Sequence, residues 1–445
     1  MKVLVISHLY PSPGRERSLF VEDQVRALAA LGVEVSVLSP TGFAPRITWV
    51  SERLRQRGHV PRRAVRSGIL VEYPRVPVLP HMLLFSHSGD LYYFGLRRYL
   101  PELRRAGIDL IHAHQALPDG AAAQRLAREL GVPYLVTVHG RDVYHHLRQP
   151  GRIAAVARHT LASADAVMAV SHAVARQLAD VVPRERLHVV PNGVSARPST
   201  ATAHQRWGEY ARPHQIILSV GYLIERKGHA TVLAALARAR SQVRPWYVIV
   251  GEGPERARLQ ARAADLGVAD QVRFLGRLPH DDVLGLMARA DLFVLPSWDE
   301  AFGLVYAEAM AQGTPVVGCQ GEGLEDFVTD GETGYLVPAR DPDALAGVIV
   351  RVLSDSATAA RVGEAGRAAV AGLTWARNAE RQKAIYEQVL AARAAPGWLA
   401  DRRSAGQPAA DARDEPDQPR GAGTPAAGRP DGDGGEMPRR SSHAL

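Results

Sequence analysis

Residues 291–313 read Asp-Leu-Phe-Val-Leu-Pro-Ser-Trp-Asp-Glu-Ala-Phe-Gly-Leu-Val-Tyr-Ala-Glu-Ala-Met-Ala-Gln-Gly, and this stretch indicates the fold class. Its first residues, 291–295, form a short apolar run that Pro296 stops, which is typical of a strand buried on both faces of a parallel sheet. Residues 304–310 are good helix formers, and Gly313 lies where a glycine commonly follows a helix end. A buried strand, a loop and a helix in this order predict an α/β fold.

The loop between this strand and this helix combines a carboxylate with free backbone amides. Glu300, Phe302 and Gly303 lie there, at the carboxyl end of the strand and against the helix N-terminus. Unpaired amides and the helix dipole at such a place attract phosphate groups. Glu308 follows one turn into the helix, where a carboxylate can accept hydrogen bonds from two hydroxyl groups of a sugar ring. We therefore expect a ligand with both a phosphate and a polyol. The alternative is that Glu300 is an acid at a helix start and Glu308 a solvated helix residue.

Length and composition indicate a protein of two domains without a membrane span. The chain has 445 residues, which is too long for a single core, and no window offers the roughly 20 uninterrupted apolar residues of a transmembrane helix. The short apolar run 1–6 meets His8, Pro11 and Pro13 at once, so it predicts a first strand rather than a signal peptide. Cys319 is the only cysteine, which excludes an internal disulfide and favours the reducing cytoplasm.

The formal net charge of +8 favours anionic partners such as nucleotides, phospholipids or nucleic acid, and the chain contains no nucleic-acid-binding motif. Residues 43–100 are predicted to be irregular and basic, with arginines that outnumber the acidic residues Glu52 and Glu72. Arginines among amphipathic aromatics suit the headgroup region of an anionic membrane, so residues 46–75 predict a peripheral contact with the inner face of the cell membrane. The alternative is a solvated basic surface over ordinary core aromatics. The arginines are Arg46, Arg53, Arg55, Arg57, Arg62, Arg63, Arg66 and Arg75.

The N-terminal part of the chain opens with a predicted strand, helix and strand, at residues 3–6, 20–31 and 33–38. The first loop holds one glycine, Gly14, so the dinucleotide fingerprint Gly-x-Gly-x-x-Gly is missing. Further strands are predicted at residues 110–113, 134–138, 166–170 and 188–190. We expect a first domain over residues 1–200, with a linker at 195–213.

Histidines stand at the ends of two of these strands. His139 and Gly140 end the strand 134–138, and a histidine beside a glycine that lets a ligand approach the backbone predicts an active-site contact. The alternative is a structural histidine. His112 and His114 alternate with apolar residues at another strand end, and no carboxylate cluster accompanies them, so we expect no metal site. Ser171 follows a further strand and is predicted to cap the next helix.

The second domain is predicted over residues 214–374 and opens with a strand at 216–220. Gly221 begins the loop after this strand, and Arg226 and Lys227 end it just before a predicted helix at 229–239. Two cations, a glycine turn and a helix N-terminus favour a diphosphate. The alternative is an exposed Arg-Lys pair with no ligand.

Other strand ends of the second domain carry weaker signals. Gly251 and Gly253 follow the strand 246–250, and Phe274 and Leu275 lie on a short strand, 272–276, whose backbone can hold a nucleobase. A helix is predicted at 342–353 and a long terminal helix at 375–392. Residues 396–445 lack apolar periodicity and are predicted to be a disordered tail.

Three motifs occur in a fixed order: Gly221 to Gly228 with Arg226-Lys227, then Gly251-Glu252-Gly253-Pro254, then Glu300-Ala-Phe-Gly-Leu-Val-Tyr-Ala-Glu308. Together they resemble the donor-binding domain of retaining glycosyltransferases of the GT-B fold, the large family that includes sucrose synthase and bacterial mannosyltransferases. His139-Gly140 and Pro191-Asn192-Gly193 match the N-terminal domain of that family. The opening Tyr-Pro-Ser run and the segment Gly318-Cys-Gln-Gly-Glu-Gly look like the teichuronic-acid branch.

This resemblance implies two Rossmann-like domains that face each other across a cleft, with helix 375–394 crossing back to pack on the first domain. It implies that Arg226 and Lys227 hold the diphosphate of a nucleotide-sugar donor and that Glu308 binds the ribose hydroxyls. Glu300 and the amides after it hold the donor sugar and phosphate. The predicted donor contacts are Gly14, Gly221, Arg226, Lys227, Gly251, Gly253, Phe274, Leu275, Glu300, Phe302, Gly303, Leu304, Val305 and Glu308.

The resemblance also implies that His139 contacts the donor sugar from the opposite domain, so that His139, Arg226, Lys227 and Glu300 are the predicted catalytic residues. Gly14 would let the first loop approach the diphosphate or the acceptor. Many relatives have a second glycine in that loop, whereas this chain has Pro13, Gly14 and Arg15.

The expected activity is metal-independent, retaining transfer of a sugar from a UDP- or GDP-sugar to a lipid-linked or glycan acceptor in cell-surface polysaccharide biosynthesis. No cofactor and no metal ion are expected, because fixed cations and oriented amides stabilise the charge that grows on the leaving diphosphate. The alternatives are a nucleotide-sugar epimerase or a glycogen-type synthase on the same fold, or a non-catalytic nucleotide-sugar binder. The sequence does not identify the base, the sugar or the acceptor.

Overall fold

The structure is a computed structural model of the chain that describes residues 1–13, 19–43, 60–77, 85–194 and 214–394. All structural statements below concern these residues. Gly14, the predicted linker 195–213 and the predicted tail 396–445 lie outside them, as do residues 46–59 of the basic segment.

The first part of the chain is built on a mostly parallel sheet. The strands of this part are β1 (Lys2–Ile6), β2 (Glu34–Leu38), β3 (Thr41–Phe43), β4 (Arg63–Arg66), β5 (Ile69–Glu72), β6 (Arg75–Pro77), β7 (Leu110–His114), β8 (Tyr134–Val138), β9 (Ala166–Ala169) and β10 (Leu187–Val189). Of these, β3 and β6 pair only with each other, in parallel, and form a separate two-stranded sheet. The sheet order in the described residues is β10-β9-β8-β7-β1-β2-β5-β4, and β4 alone in that sheet runs antiparallel to its neighbour. Residues 3–6 of β1 are fully buried, as expected of a strand with helices on both faces.

Helices connect these strands and cover the sheet. They are α1 (Leu19–Ala30), α2 (Ser88–Leu96), α3 (Leu100–Ala106), α4 (Ala121–Leu130), α5 (Arg152–Ala162) and α6 (His172–Leu178). The hydroxyl of Ser171 accepts a hydrogen bond from the Val174 amide at 3.1 Å, which confirms the predicted cap of α6.

The prediction that residues 43–100 are irregular is wrong for the part of that segment that the structure describes. β4 and β5 form a hairpin there, and α2 follows. The hairpin lies at the edge of the sheet with one face in solvent, where Val65 is 71% exposed. Because such a strand is buried on one face at most, it lacks the continuous apolar run that marks the central strands.

The second part of the chain forms a second, fully parallel sheet. Its strands are β11 (Ile216–Val220), β12 (Trp246–Val250), β13 (Val272–Gly276), β14 (Leu292–Val294), β15 (Val316–Cys319) and β16 (Tyr335–Val337), in the order β13-β12-β11-β14-β15-β16. The helices are α7 (His229–Ala239), α8 (Arg256–Asp265), α9 (His280–Arg289), α10 (Leu304–Ala311), α11 (Pro342–Ser354) and α12 (Ser356–Val370). The predicted α/β class with two Rossmann-like domains is confirmed.

The last described helix, α13 (Trp375–Ala394), packs against α1 of the first part of the chain. The Gln24 side-chain amide donates to Asn378 Oδ1 at 3.2 Å, and the fully buried Tyr386 hydroxyl lies 2.7 Å from His112 Nδ1. These bonds join residues far apart in the chain and therefore attach the end of the described chain to its beginning. No helix among the described residues has the length and apolar composition needed to cross a bilayer.

Candidate active site

The candidate site lies where the strand order of the second sheet reverses. β11 has β12 on one side and β14 on the other, so the loops that follow β11 and β14 leave the sheet side by side. Ligands of open α/β sheets bind in the crevice at such a switch point. The first of these loops carries residues 221–228, and the second carries residues 295–303.

Gly228 lets the two loops touch. Its φ is +72°, in the left-handed region that favours glycine, and a Cβ there would overlap the backbone carbonyl of Pro296. Gly228 directly follows a 3₁₀ turn, Glu225–Lys227, and precedes α7. The close approach therefore brings the cations at the end of the first loop beside the second loop.

A partly buried ion pair results between residues 73 positions apart: Lys227 Nζ lies 2.6 Å from Glu300 Oε2. Each side chain is only 14% exposed, and the Ser297 hydroxyl donates to the same oxygen at 3.1 Å. Burial alone would raise the pKa of Glu300, but the charge and hydrogen bond of Lys227 outweigh it and hold the pKa below its ordinary value. Glu300 is therefore a carboxylate at pH 7, and both bonds end on Oε2.

Arg226 is bound to the same loop. Its guanidinium Nη1 donates to the carbonyl oxygen of Asp299 at 3.3 Å, and its own carbonyl accepts from the Trp298 amide at 3.0 Å. The positive charge of Arg226 also helps to lower the pKa of Glu300. The two adjacent cations thus both contact the second loop, Arg226 at the Asp299 carbonyl and Lys227 at the Glu300 carboxylate.

The N-terminus of α10 presents uncapped amides next to this pair. Gly303 is the N-cap residue, with φ +86°, and in the described part of the chain no side-chain capping hydrogen bond is made to the first turn. The first amides of a helix have no intrahelical acceptor, and the helix dipole makes this end positive. Phe302 is buried against Phe327, with ring centroids 5.3 Å apart, while Leu304 and Val305 are half-buried. This end of the helix suits an anion.

Glu308 lies one turn further along α10 in a different environment from Glu300. The imidazole Nε2 of His280 is 3.8 Å from Glu308 Oε1, beyond hydrogen-bonding distance. Burial raises the pKa of Glu308 to about 7. Protonated and ionised forms are therefore both well populated at neutral pH, and its carboxyl group is available to a ligand hydroxyl.

Gly251 and Gly253, both predicted donor contacts, serve contacts between loops in this structure. Gly251 has φ +143°, and a Cβ there would overlap the carbonyl oxygen of Gly221. A Cβ on Gly253 would overlap the backbone of Leu223. The space beside Gly251 and Gly253 is thus filled by protein. Contact of Gly221, Gly251 and Gly253 with a donor stays a prediction.

Phe274 and Leu275 lie on β13, the edge strand of the second sheet. The Arg256 guanidinium lies 5.7 Å from the Phe274 ring centroid and donates to the Phe274 carbonyl at 3.5 Å. No contact found in the described residues links this strand to Lys227 or Glu300. The role of β13 in holding a nucleobase therefore stays a prediction.

His139 lies at the carboxyl end of β8 in a stack of aromatic rings. Its ring is parallel to that of His114 at 5.2 Å, its Nε2 is 2.9 Å from His114 Nδ1, and Phe20 packs on it at 5.0 Å. Burial lowers the pKa of His139 to about 4, so the imidazole is neutral at pH 7. Within the described part of the chain, no group of three His, Cys, Asp or Glu side chains is arranged as metal ligands.

The residue after His139 brings the two parts of the chain together. Gly140 has φ +100°, and a Cβ there would clash with the Cβ of Ala301. The Ser171 hydroxyl donates to the Ala301 carbonyl at 2.6 Å. The carboxyl end of β8 therefore lies directly against the loop that carries Glu300, so that His139 and Glu300 flank the same contact.

Sequence patterns did not single out several side chains that shape this loop. Arg148 forms an ion pair with Asp299, with 2.9 Å between Nη1 and Oδ1. Glu322 accepts hydrogen bonds from the amides of Asp299 and Glu300. Arg148 carried no signal in the sequence. Glu322 lies in the segment that resembles the teichuronic-acid branch, but no role was predicted for it.

A second histidine, His8, follows β1 and has a buried carboxylate partner. His8 Nδ1 is 2.7 Å from Asp119 Oδ2, and the His8 amide donates to the same oxygen at 3.1 Å. Asp119 is fully buried, and its burial raises the pKa of the carboxyl group. The pair fixes the start of the loop that leads to Gly14.

Comparison with known proteins identifies the family. Residues 203–369 match the family described as "Glycosyl transferases group 1", and residues 18–197 match "Glycosyltransferase Family 4". A D-inositol 3-phosphate glycosyltransferase of Acidothermus cellulolyticus is 33% identical over 422 aligned residues, covering 86% of this chain and 88% of that relative. The chain is a group 1 glycosyltransferase.

Further relatives of this glycosyltransferase agree with the fold. A putative teichuronic acid biosynthesis glycosyltransferase of Bacillus subtilis is 29% identical over 365 residues, covering 79% of this chain and 89% of that protein. The solved sucrose-phosphate synthase of Thermosynechococcus elongatus superposes with a TM-score of 0.74 at 26% identity, over 88% of this chain and all of that one. The predicted resemblance to the GT-B family is confirmed.

Proposed function

We propose that this glycosyltransferase moves a hexose, with retention of the anomeric configuration, from a UDP- or GDP-sugar to a lipid-linked or glycan acceptor. The transfer takes place in the cleft between a first domain, residues 1–200, and a second domain, residues 214–374. It serves the assembly of a cell-surface polysaccharide and needs no metal ion. The observation that carries the proposal is the buried pair of Lys227 and Glu300 beside the uncapped N-terminus of α10.

The chemistry of glycosyl transfer matches these groups. As the bond from C1 of the sugar to the diphosphate breaks, negative charge grows on the leaving group. Lys227 and Arg226 supply fixed positive charge there, and the first amides of α10 supply oriented N–H groups. The lysine ammonium has three donors, so it can bind a phosphate oxygen while it stays paired with Glu300.

Glu300 and Glu308 divide the recognition of hydroxyl groups between them. Both described hydrogen bonds to the Glu300 carboxylate end on Oε2, and we assign Oε1 to a hydroxyl of the donor sugar. Glu308 accepts hydrogen bonds from the ribose hydroxyls of the nucleotide. His139, neutral and next to the Gly140–Ala301 contact, donates or accepts a hydrogen bond on the sugar from the first domain. The attacking hydroxyl enters on the same face as the leaving phosphate, whose oxygen takes its proton.

The names of relatives and structural neighbours support a nucleotide-sugar donor, and the name of one relative supports a role in polysaccharide biosynthesis. A solved neighbour from Anabaena, HepE, is described in complex with UDP-glucose, with a TM-score of 0.66 and 19% identity, over 87% of this chain and all of that one. One relative is named for teichuronic acid biosynthesis and another as an inositol-phosphate glycosyltransferase.

We place the enzyme in the cytoplasm, in peripheral contact with an anionic membrane through residues 46–75. In the described part of that segment, Arg63 pairs with Glu72, Arg66 pairs with Glu22, and Arg75 donates to a backbone carbonyl. The two ion pairs neutralise part of the positive charge with which the described arginines could bind anionic lipid. Binding to vesicles of anionic lipid, compared with neutral vesicles, tests this part of the proposal.

A screen of donors followed by two substitutions tests the proposed reaction. UDP-glucose, UDP-N-acetylglucosamine and GDP-mannose are compared by thermal shift, because a ligand at 100 times its Kd stabilises the folded state by about 2.7 kcal/mol. With the selected donor and washed membranes as the source of acceptor, Lys227→Ala and Glu308→Ala should abolish release of the nucleoside diphosphate while the protein stays folded. Lys383→Ala, on the exposed face of α13, is the matched control. Full activity of both site variants would exclude the proposal.

A further inference from the structure

Glu322 holds the backbone of the loop that carries Glu300. It follows β15, and its carboxylate accepts two amide hydrogen bonds: Oε1 from Asp299 at 3.0 Å and Oε2 from Glu300 at 2.7 Å. One carboxylate that accepts two successive amides fixes both the position and the direction of that peptide. The side chain of Glu300 leaves the chain at the second of these amides.

The neighbour of Glu322 binds the other side of the same residue. The Gly323 amide donates to the Glu300 carbonyl at 2.9 Å, and a Cβ on Gly323 would overlap the carbonyl of Ala301. Residues 322 and 323 therefore bind both the amide and the carbonyl of Glu300. Its side chain is held by Lys227 and Ser297 on the other side.

The backbone that Glu322 holds is in an unfavourable conformation. Asp299 has φ +56°, in the left-handed region that non-glycine residues rarely adopt. A conformation of this kind persists only where surrounding contacts impose it. The bond from the Asp299 amide to Glu322 Oε1 and the ion pair of the Asp299 side chain with Arg148 are such contacts.

The Glu322 carboxylate also determines which of the local backbone amides are free to bind a ligand. Burial raises the pKa of Glu322, and the hydrogen bonds from the Glu300 and Asp299 amides act in the opposite direction by favouring the carboxylate. The amides of Asp299 and Glu300 are thereby occupied and cannot bind a phosphate. The first turn of α10 is left to bind the anion.

We propose that Glu322 is a positioning residue for sugar transfer, which aims the Glu300 carboxylate at Lys227 and at the donor sugar through the amides of Asp299 and Glu300. This inference rests on the proposed function, because it presumes that Glu300 binds the sugar of a nucleotide-sugar. It separates recognition of the sugar, which needs Glu322, from recognition of the nucleotide, which does not.

Calorimetric titration of the full chain with UDP, UDP-glucose, GDP and GDP-mannose tests this separation. The variants are Glu322→Gln, Glu300→Gln, the double variant, and Glu332→Gln as an exposed control with the same loss of charge. Glutamine keeps the size of Glu322 but places an NH₂ group against one of the two amides. We expect Glu322→Gln to weaken the sugar-nucleotide about tenfold and to change the Kd of the nucleoside diphosphate less than about twofold.

The double variant distinguishes positioning from independent binding. If Glu322 acts through Glu300, adding Glu322→Gln to Glu300→Gln weakens the sugar-nucleotide by no more than about twofold further. Equal weakening of both ligand classes with a lower Tm, or fully additive losses, would overturn the inference and make Glu322 a structural residue. Wild-type protein that binds none of the four ligands would instead refute the proposed function, and the inference with it. If Glu322→Gln does not fold, Glu322→Asp, which keeps the charge but is one methylene shorter, gives the same comparison.

Discussion

Replacing Lys227 by methionine should destabilise the protein through Glu300 rather than through lost packing. Methionine keeps most of the length of the lysine side chain and removes the charge. The Glu300 carboxylate would then be left in a site where it is 14% exposed, with the Ser297 hydroxyl as its remaining described hydrogen-bond donor. Removing one partner of a buried ion pair typically costs about 3–5 kcal/mol.

Protonation of Glu300 sets a limit to this cost. The carboxyl group has an ordinary pKa of 4.5. Protonating it at pH 7 therefore takes two and a half pH units at about 1.36 kcal/mol per unit, or about 3.4 kcal/mol. An unpaired Glu300 can escape its buried charge at that cost, so we expect Lys227→Met to lower the free energy of unfolding by about 3 kcal/mol at pH 7.

The same reasoning gives the pH dependence. In the wild-type protein the folded pKa of Glu300 is lowered, so its stabilising contribution is present above pH 4.5 and is lost only as the pH falls through the lowered pKa. In the variant, burial without the lysine raises the folded pKa, so the penalty is full above that pKa and vanishes as the pH falls below 4.5. The difference between the two proteins should therefore be largest near pH 7–8, smaller at pH 4.5, and should shrink further as the pH falls through the lowered folded pKa of the wild-type protein.

Urea unfolding at pH 4.5 and at pH 7.5 measures these differences. Lys383→Met is the matched control, because Lys383 Nζ also lies 2.6 Å from a carboxylate, that of Glu387, but these side chains are 35% and 57% exposed. Exposed helical pairs contribute about 0.3–0.5 kcal/mol. Adding Glu300→Gln to Lys227→Met should restore stability at pH 7.5. A variant as stable as Lys383→Met, or one that Glu300→Gln does not rescue, would refute the reasoning.

Three further perturbations have defined outcomes. Burial raises the pKa of Glu308 to about 7, so its carboxyl group becomes protonated below that pH. The affinity for the selected nucleotide-sugar, measured by calorimetry, should therefore fall from pH 8 to pH 6. The Glu308→Gln variant should lose this pH dependence. Gly228→Ala should lower the free energy of unfolding by about 1–3 kcal/mol more than Gly313→Ala, since both have positive φ but only the first would meet a backbone carbonyl; equal losses in urea unfolding would contradict the packing assigned to Gly228. Tyr386→Phe leaves the Nδ1 atom of buried His112 without its hydroxyl partner and should cost about 1–3 kcal/mol in the same assay; an unchanged free energy of unfolding would show that this bond does not help to hold α13.

Local apolar patterns in the sequence were sufficient to predict the central strands. β8 and β12 have the predicted bounds, Tyr134–Val138 and Trp246–Val250, because a strand buried on both faces needs apolar residues at nearly every position. The hairpin of β4 and β5 was missed for the opposite reason, since its outer face meets solvent. Burial on both sides makes a strand visible in a sequence, and an edge strand is visible only in part.

The glycines show a different limit of sequence reasoning. Gly140, Gly228 and Gly251 were all predicted to lie in loops at strand ends, and they do. The sequence cannot say what occupies the space beside a glycine. In the structure that space is filled by another loop at all three positions, because contacts between distant segments decide it.

By itself, the sequence determined that the chain alternates buried strands and helices, and that cations, acids and glycines stand at particular strand ends. Those features depend on neighbours within a few residues. Only the tertiary structure decided that β14 lies next to β11, so that Lys227 meets Glu300 across 73 positions, and that Glu322 binds the amides of Asp299 and Glu300. Strand order is set by how whole helices and strands cover one another, which no local pattern records.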